Sequence, residues 1–191
     1  MKTMILTRHP GACVMEQPEM WLVPDSATVL PGRPLFLPDF SEEWTAHISP
    51  ALRVSRLGKG ISSKFAGRYY DALTLTVRLQ PEDMLSQLKL SGGPKCMAAA
   101  FDNCLQLGKW IELTETGLPP QLEITANGAT FSISAEELKA DPAVSVISRY
   151  MTIRNGDIIC PVSVPLSMPV SVGATITASI NGEECLSLRI K

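Results

Sequence analysis

The chain has 191 residues, enough for one domain with a buried core. Hydrophobic residues make up 45% and charged residues 19%, which excludes a disordered chain, and 17 basic against 19 acidic residues leave a formal charge of −2 with no electrostatic footprint for nucleic acid or an anionic membrane. No apolar run approaches the roughly 20 residues of a membrane span, and the start, MKTMILTRHP, has too short an apolar core for a signal peptide, so the expected location is cytoplasmic.

Residues 1–19 form an N-terminal segment without a clear pattern, in which His9 is followed by Pro10 and Gly11 and reads as an exposed side chain. From Met20 to Phe40 the pattern is short strands and proline-punctuated turns, with Pro31-Gly32 the strongest turn signal. Asp39 to Glu43 is a polar connection. Thr45 to Lys59 is an extended stretch in which Arg53 and Arg56 interrupt apolar residues before a turn at Gly58. Near its start stand His47 and Ser49, and on a strand positions two apart point to one face.

Ser62 to Asp71 is predicted as a short helix with Phe65 and Tyr69 on one core-packing face. Leu73 to Leu79 alternates strictly, which predicts a strand with Thr74, Thr76 and Arg78 on one face and Leu73, Leu75, Val77 and Leu79 on the other. Arg78 then has two readings, a solvated edge residue or a cation directed into a pocket where it grips a carboxylate. Pro81 opens a helix whose first-turn acids, Glu82 and Asp83, suit its dipole, and Ser91-Gly92-Gly93-Pro94 ends it in a loop.

Beyond Phe101-Asp102 the chain reads as mainly β. KWIEL is a strand, and LEITANGATFSI and ATITASINGEECLSLRI are hairpins around Asn-Gly turns. Asp141-Pro142 reads as N-cap and first residue of a helix through Met151. A short strand, IIC, and the proline-spaced PVSVPLSMPV follow. The five cysteines, Cys13, Cys96, Cys104, Cys160 and Cys185, show no C-x-x-C pair, so buried free thiols are expected rather than disulfides or zinc.

The order VPDSATVLPGRPLFLPDF, then RLGKGISSKFAGRYYDALTLTVRL, then FDNCLQLGKW, then RNGDIICPVSV resembles the fumarylacetoacetate hydrolase superfamily, in its branch of bacterial 2-oxo acid hydrolases, hydratases and decarboxylases. The resemblance covers roughly residues 20–191. It implies a single α+β domain, mostly β, with mixed sheets rolled into a barrel-like core, a few short helices, and a dimeric assembly. It also implies a Mg²⁺ or Ca²⁺ site. The positions matching the family's two metal-binding glutamates are His47 and Ser49, and the next metal-binding aspartate is replaced by Arg78. Family lysines fall on Val23 and Ala99, the Thr-Gly-Thr-Pro loop becomes Pro161, Val162, Ser163 and Val164, and the N-terminal catalytic dyad has no match around His9.

Magnesium and calcium take several hard oxygen ligands, and at an effective dielectric near 20 a divalent ion about 4 Å from a guanidinium is repelled by roughly 8 kcal/mol. The expected state is therefore metal-free, with no catalytic residue assigned. The leading reading is a catalytically inactive relative. It binds a small oxo or carboxylic acid through Arg78, His47 and Ser49, or pairs with an active relative. The others are an active metal-dependent hydrolase, hydratase or decarboxylase of a small 2-oxo or diketo acid, with Asp83 and Asp102 as candidate ligands, and a structural subunit with a filled pocket.

Overall fold

The computed structural model describes residues 1–7, 19–115, 117–162 and 164–191; His9, Cys13 and Ser163 lie outside the described residues. The first half carries β1 (Lys2–Thr7), β2 (Glu19–Pro24), β3 (Thr28–Val29), β4 (Trp44–Val54), α1 (Ser63–Ala66), β5 (Tyr70–Pro81) and α2 (Glu82–Ser91). Two short strands follow, β6 (Leu105–Leu107) and β7 (Ile111–Glu112), then the hairpin of β8 (Gln121–Ala126) and β9 (Ala129–Ser134). The rest is α3 (Ala135–Leu138), α4 (Ala140–Tyr150), β10 (Ile158–Cys160), β11 (Ser167–Pro169), β12 (Thr175–Ile180) and β13 (Glu183–Arg189). Among the described residues, no helix is long and apolar enough to cross a membrane.

Among the described residues, nine strands make one mixed sheet in the order β2-β1-β10-β4-β5-β6-β3, with β11 also pairing with β4 and β7 with β5. A second sheet runs β13-β12-β8-β9. The architecture is the mostly β, curled-sheet α+β fold expected from the sequence, and β4 and β5 are its spine. Their antiparallel ladder runs from Trp44↔Pro81 to Leu52↔Leu73, with an irregularity at Arg53/Val54.

The alternation of β5 sets the layering. Leu73, Leu75, Val77 and Leu79 are buried against the second sheet, in a core with Leu122, Ile124, Ile176 and Leu188. Each such side chain contributes about 1.5–3 kcal/mol of burial free energy. The opposite face, with Thr74, Thr76, Arg78 and Gln80, is also buried. It meets a smaller apolar cluster that includes Ile5, Val23, Ala51, Leu105 and Cys160. A polar row buried on both sides must find partners, and this row positions the candidate site.

The Asn-Gly hairpins form as expected, with both residues of each turn at positive φ: Asn127 at 45° and Gly128 at 84°, Asn181 at 50° and Gly182 at 81°. Other segments differ from the sequence reading. The helix expected over Ser62–Asp71 is a single turn, because Tyr70 already belongs to β5, where it faces Val54. Phe65 is 46% exposed beneath the cations of Lys64 and Arg68 rather than in the core, while Tyr69 packs against the cluster of Ile61 and Ala66. In KWIEL, Ile111–Glu112 alone joins the ladder, since the Lys109 amide turns away to donate to the Cys185 carbonyl (2.6 Å).

The helix expected at Asp141-Pro142 starts earlier. A capping box of Ser134 and Glu137 opens α3, Lys139 at φ 55° turns the chain, and α4 begins at Ala140. Asp141 accepts instead from the Tyr70 hydroxyl (3.0 Å). At the other end, β1 lies inside the large sheet between β2 and β10, tied by the Lys2 side chain and amide, both of which donate to the buried Asp157 carboxylate.

Candidate functional site

His47 on β4 and Arg78 on β5 are direct cross-strand partners, and Ser49 faces Thr76 two pairs further along. Directly opposed residues share a face, so the three residues singled out in the sequence come together. The edge strand β11, from the proline-spaced segment, sets Ser167 on the other side of His47. Registers Trp21↔Ile5 and Ile5↔Cys160 carry the same face across to β2. Trp21 arrives there with its ring centroid 5.1 Å from the Arg78 guanidinium carbon.

Arg78 is 7% exposed, which removes the solvated-edge reading. Its Nη2 donates to Gln80 Oε1 (2.8 Å), and Gln80 Nε2 donates in turn to Glu82 Oε1 (2.8 Å). Glu82 Oε1 also stands 3.6 Å from His47 Nε2, beyond hydrogen-bond distance. A neutral amide thus separates the guanidinium from this carboxylate. Burial lowers the Arg78 pKa, with Cys104, Glu82 and Cys160 opposing that shift, but a guanidinium stays charged in proteins. The two thiols are not counterions, because burial pushes Cys104 and Cys160 up to about 12.

His47 is held neutral at pH 7. Burial and then the Arg78 cation push its pKa down to about 4, against the pull of Glu82. Ser49 contributes its carbonyl, which accepts from the Thr76 hydroxyl (3.1 Å). Among the described residues, three nitrogens here are buried without a hydrogen-bond partner: Arg78 Nη1, His47 Nε2 and Trp21 Nε1. Leaving such a group unpaired costs about 1–3 kcal/mol. Arg78 Nη1 and Trp21 Nε1 can only donate, whereas Nε2 of a neutral His47 donates or accepts according to its tautomer, so the two fixed donors call for acceptor oxygens.

The other candidate acids lie elsewhere. Asp83 accepts from the Ser41 hydroxyl and the Glu42 amide at the start of α2, and Asp102 is exposed beside the left-handed Asn103. Among the described residues, no three His, Cys, Asp or Glu side chains gather as a metal site. Val23 and Ala99, which the sequence resemblance matched to family lysines, are buried apolar residues. Val162 and Val164 line, with Phe131, Ile133 and Pro165, a cavity of about 470 Å³.

Trp21, Gln80 and Glu82 were not singled out by the sequence. The signal for Gln80 was present, since it extends the row Thr74, Thr76, Arg78 at the same two-residue step. Glu82 follows one step later, where helical propensity masked it.

No family model matches the sequence. Solved structures do match in fold. Fumarylpyruvate hydrolase from Pseudomonas aeruginosa, in complex with Mn²⁺ and pyruvate, superposes with a TM-score of 0.84 at 18% identity, covering 100% of this chain and 89% of that one. A fumarylacetoacetate hydrolase family protein from Yersinia pestis superposes with a TM-score of 0.85 at 21% identity, covering 100% and 92%. The chain has the fumarylacetoacetate hydrolase fold. Among curated relatives, oxaloacetate tautomerase YcgM of Escherichia coli is 29% identical over 164 residues, 80% of this chain and 72% of that protein. Within the fumarylacetoacetate hydrolase fold, then, the face shared by β4 and β5 carries an imidazole, a hydroxyl and a guanidinium.

Proposed function

We propose that this chain binds a small oxo or carboxylic acid at Arg78, His47 and Ser49 without a metal ion, as a binding or partner subunit rather than a metal-dependent enzyme. The observation that carries this reading is the buried Arg78 guanidinium, whose Nη1 lacks a partner among the described residues. A planar guanidinium with free donors is matched by a carboxylate. The same residues do not fit Mg²⁺ or Ca²⁺, which need several oxygen ligands, whereas this face offers one carboxylate, Glu82, beside a fixed cation, a neutral imidazole and the Ser49 hydroxyl. The resemblance to the family further suggests a homodimer, or pairing with an active relative.

A second reading is conversion of a small 2-oxo acid by this chain itself. Its support is the likeness to a protein named as an oxaloacetate tautomerase, together with a neutral His47 beside Glu82, a pair able to take up and return a proton.

Calorimetric titration of pyruvate and oxaloacetate into metal-stripped protein tests the first reading. Binding by the wild type that weakens at least about tenfold in Arg78→Met supports it, and equal binding by both proteins contradicts it. Following the enol absorbance of oxaloacetate with EDTA and again with Mg²⁺ tests the second: accelerated decay that is lost in His47→Gln supports catalysis, and decay at the uncatalysed rate in both conditions contradicts it.

A further inference from the structure

The nearly balanced total charge conceals a separation along the β4–β5 ladder. Residues 55–69, which join β4 to β5, and residues 148–156, which lead from α4 toward β10, hold six Lys and Arg side chains and no Asp or Glu. The two segments pack together. Gly58 bridges Ile153, the Gly60 amide donates to the Ser148 carbonyl (2.8 Å), and Lys59 Nζ donates to the Arg149 carbonyl (3.1 Å). The six cations, Arg56, Lys59, Lys64, Arg68, Arg149 and Arg154, are all exposed, and none pairs with a carboxylate among the described residues. Neighbouring acids are already engaged: Asp71 by Arg53, Asp141 by the Tyr70 hydroxyl and Asp157 by Lys2.

The other end of the ladder is the reverse. Residues 39–43, which enter β4, and residues 82–87, which leave β5, hold five Asp and Glu side chains and no Lys or Arg. They too are tied together, since the Glu82 amide donates to the Glu43 carbonyl (2.8 Å) and Asp83 accepts from the Glu42 amide (3.2 Å). From Trp44 to Val54 the ladder rises about 33 Å, several times the screening length of about 8–10 Å at physiological salt. The two ends therefore do not neutralise each other within one molecule.

Each end also exposes apolar side chains, Leu57 (70%) and Tyr150 (67%) at the basic end and Phe40 (45%) at the acidic end. Arginine and aromatic side chains with charge around them are the composition of a protein interface. A base-stacking surface is a poorer match, because the Phe65 ring is covered by its own Lys64 and Arg68 cations and Leu57 is aliphatic. The acidic end of another copy supplies both the opposite charge and an aromatic contact. We propose that the basic end of one copy docks on the acidic end of the next, so that copies of this chain associate head to tail. The two surfaces are unlike, so the contact is heterologous and propagates as a ring or a filament. It is independent of the acid-binding reading of Arg78.

Sedimentation velocity over a range of protein concentrations, in about 20 mM and about 500 mM NaCl, reads the association directly. The variants are Arg56→Glu with Arg149→Glu at the basic end and Glu42→Lys with Glu43→Lys at the acidic end, all exposed positions, with circular dichroism confirming that each protein is folded. At low salt the wild type should grow with concentration, and high salt should weaken its association at least about tenfold. Each double variant alone should keep its dilute size at low salt, while an equimolar mixture of the two should associate again, because reversed charges then meet reversed charges. A wild-type size independent of concentration at low salt overturns the proposal. So does association that persists in both double variants, or a mixture of folded variants that fails to associate. Retention of a fluorescent single-stranded oligonucleotide by wild type, lost in Arg56→Glu with Arg149→Glu and seen without self-association, overturns it in favour of nucleic acid.

Discussion

The His47 imidazole and the Arg78 guanidinium stand directly opposite each other across the β4–β5 ladder, with the Glu82 carboxylate 3.6 Å from the imidazole. Burial, and after it the fixed cation alongside, hold the ring neutral, which is why the His47 pKa falls to about 4 despite its acidic neighbour. The pair therefore presents one positive charge rather than two, beside buried nitrogens without a hydrogen-bond partner among the described residues.

This pairing makes stability depend on pH. A histidine with folded pKa about 4 against 6.5 unfolded binds fewer protons in the native state between those values, so its contribution grows as pH rises through that window and is lost as pH falls from 6.5 toward 4. The full shift would amount to about 3 kcal/mol, and exposure of about a third of the ring reduces it to on the order of 1–2 kcal/mol. Urea unfolding at pH 7 and at pH 4.5 should show a larger loss for wild type than for His47→Gln. Equal losses would mean that the ring titrates normally.

Removing the buried charge should not harm the unliganded fold. Arg78→Met retains most of the aliphatic volume over Trp21 and removes a desolvated cation with no carboxylate in contact among the described residues, so the urea midpoint should be unchanged or higher. A loss above about 3 kcal/mol would mean that Arg78 is held by a partner beyond those described here.

Gly108 sits where the two sheets meet. A Cβ there would lie 2.6 Å from the Cys185 carbonyl oxygen and 2.8 Å from the Thr74 hydroxyl, next to the Lys109 amide bond that joins β13 to the large sheet. Gly108→Ala should cost about 1–3 kcal/mol of stability, read from the melting temperature. A neutral result would show that the sheets can slide apart freely.

Thiol reactivity should follow burial. Cys104, Cys160 and Cys185 are buried, whereas Cys96 is exposed. Burial raises the first two to about 12 and Cys185 to about 11. In a Cys13→Ser background, a disulfide reagent at pH 8 should label one thiol rapidly, Cys96, and the other three after denaturation. Rapid native labelling of Cys104 or Cys160 would show that this face opens to solvent.

The sequence disclosed the fold where the signal was local. The strict alternation of Leu73–Leu79 and the two Asn-Gly turns each fix a conformation within a few residues, and each appears as expected. His47, Ser49 and Arg78 could be grouped because the family resemblance supplied the pairing that alternation alone cannot. Trp21 and Glu82 reach the same face from β2 and from the first turn of α2, through long-range register that no local pattern encodes. The helix expected over Ser62–Asp71 failed for a similar reason: three-to-four spacing of aromatics suggested a helix, but pairing with Val54 draws Tyr70 into β5.

The central claim is that a fixed guanidinium does without a divalent ion at this site. The most direct test is calorimetric titration of pyruvate into metal-stripped protein, with and without millimolar Mg²⁺. The account predicts the same affinity in both conditions and no heat from Mg²⁺ alone. Pyruvate binding that appears only with Mg²⁺, together with micromolar binding of the ion lost in Glu82→Gln, would contradict it.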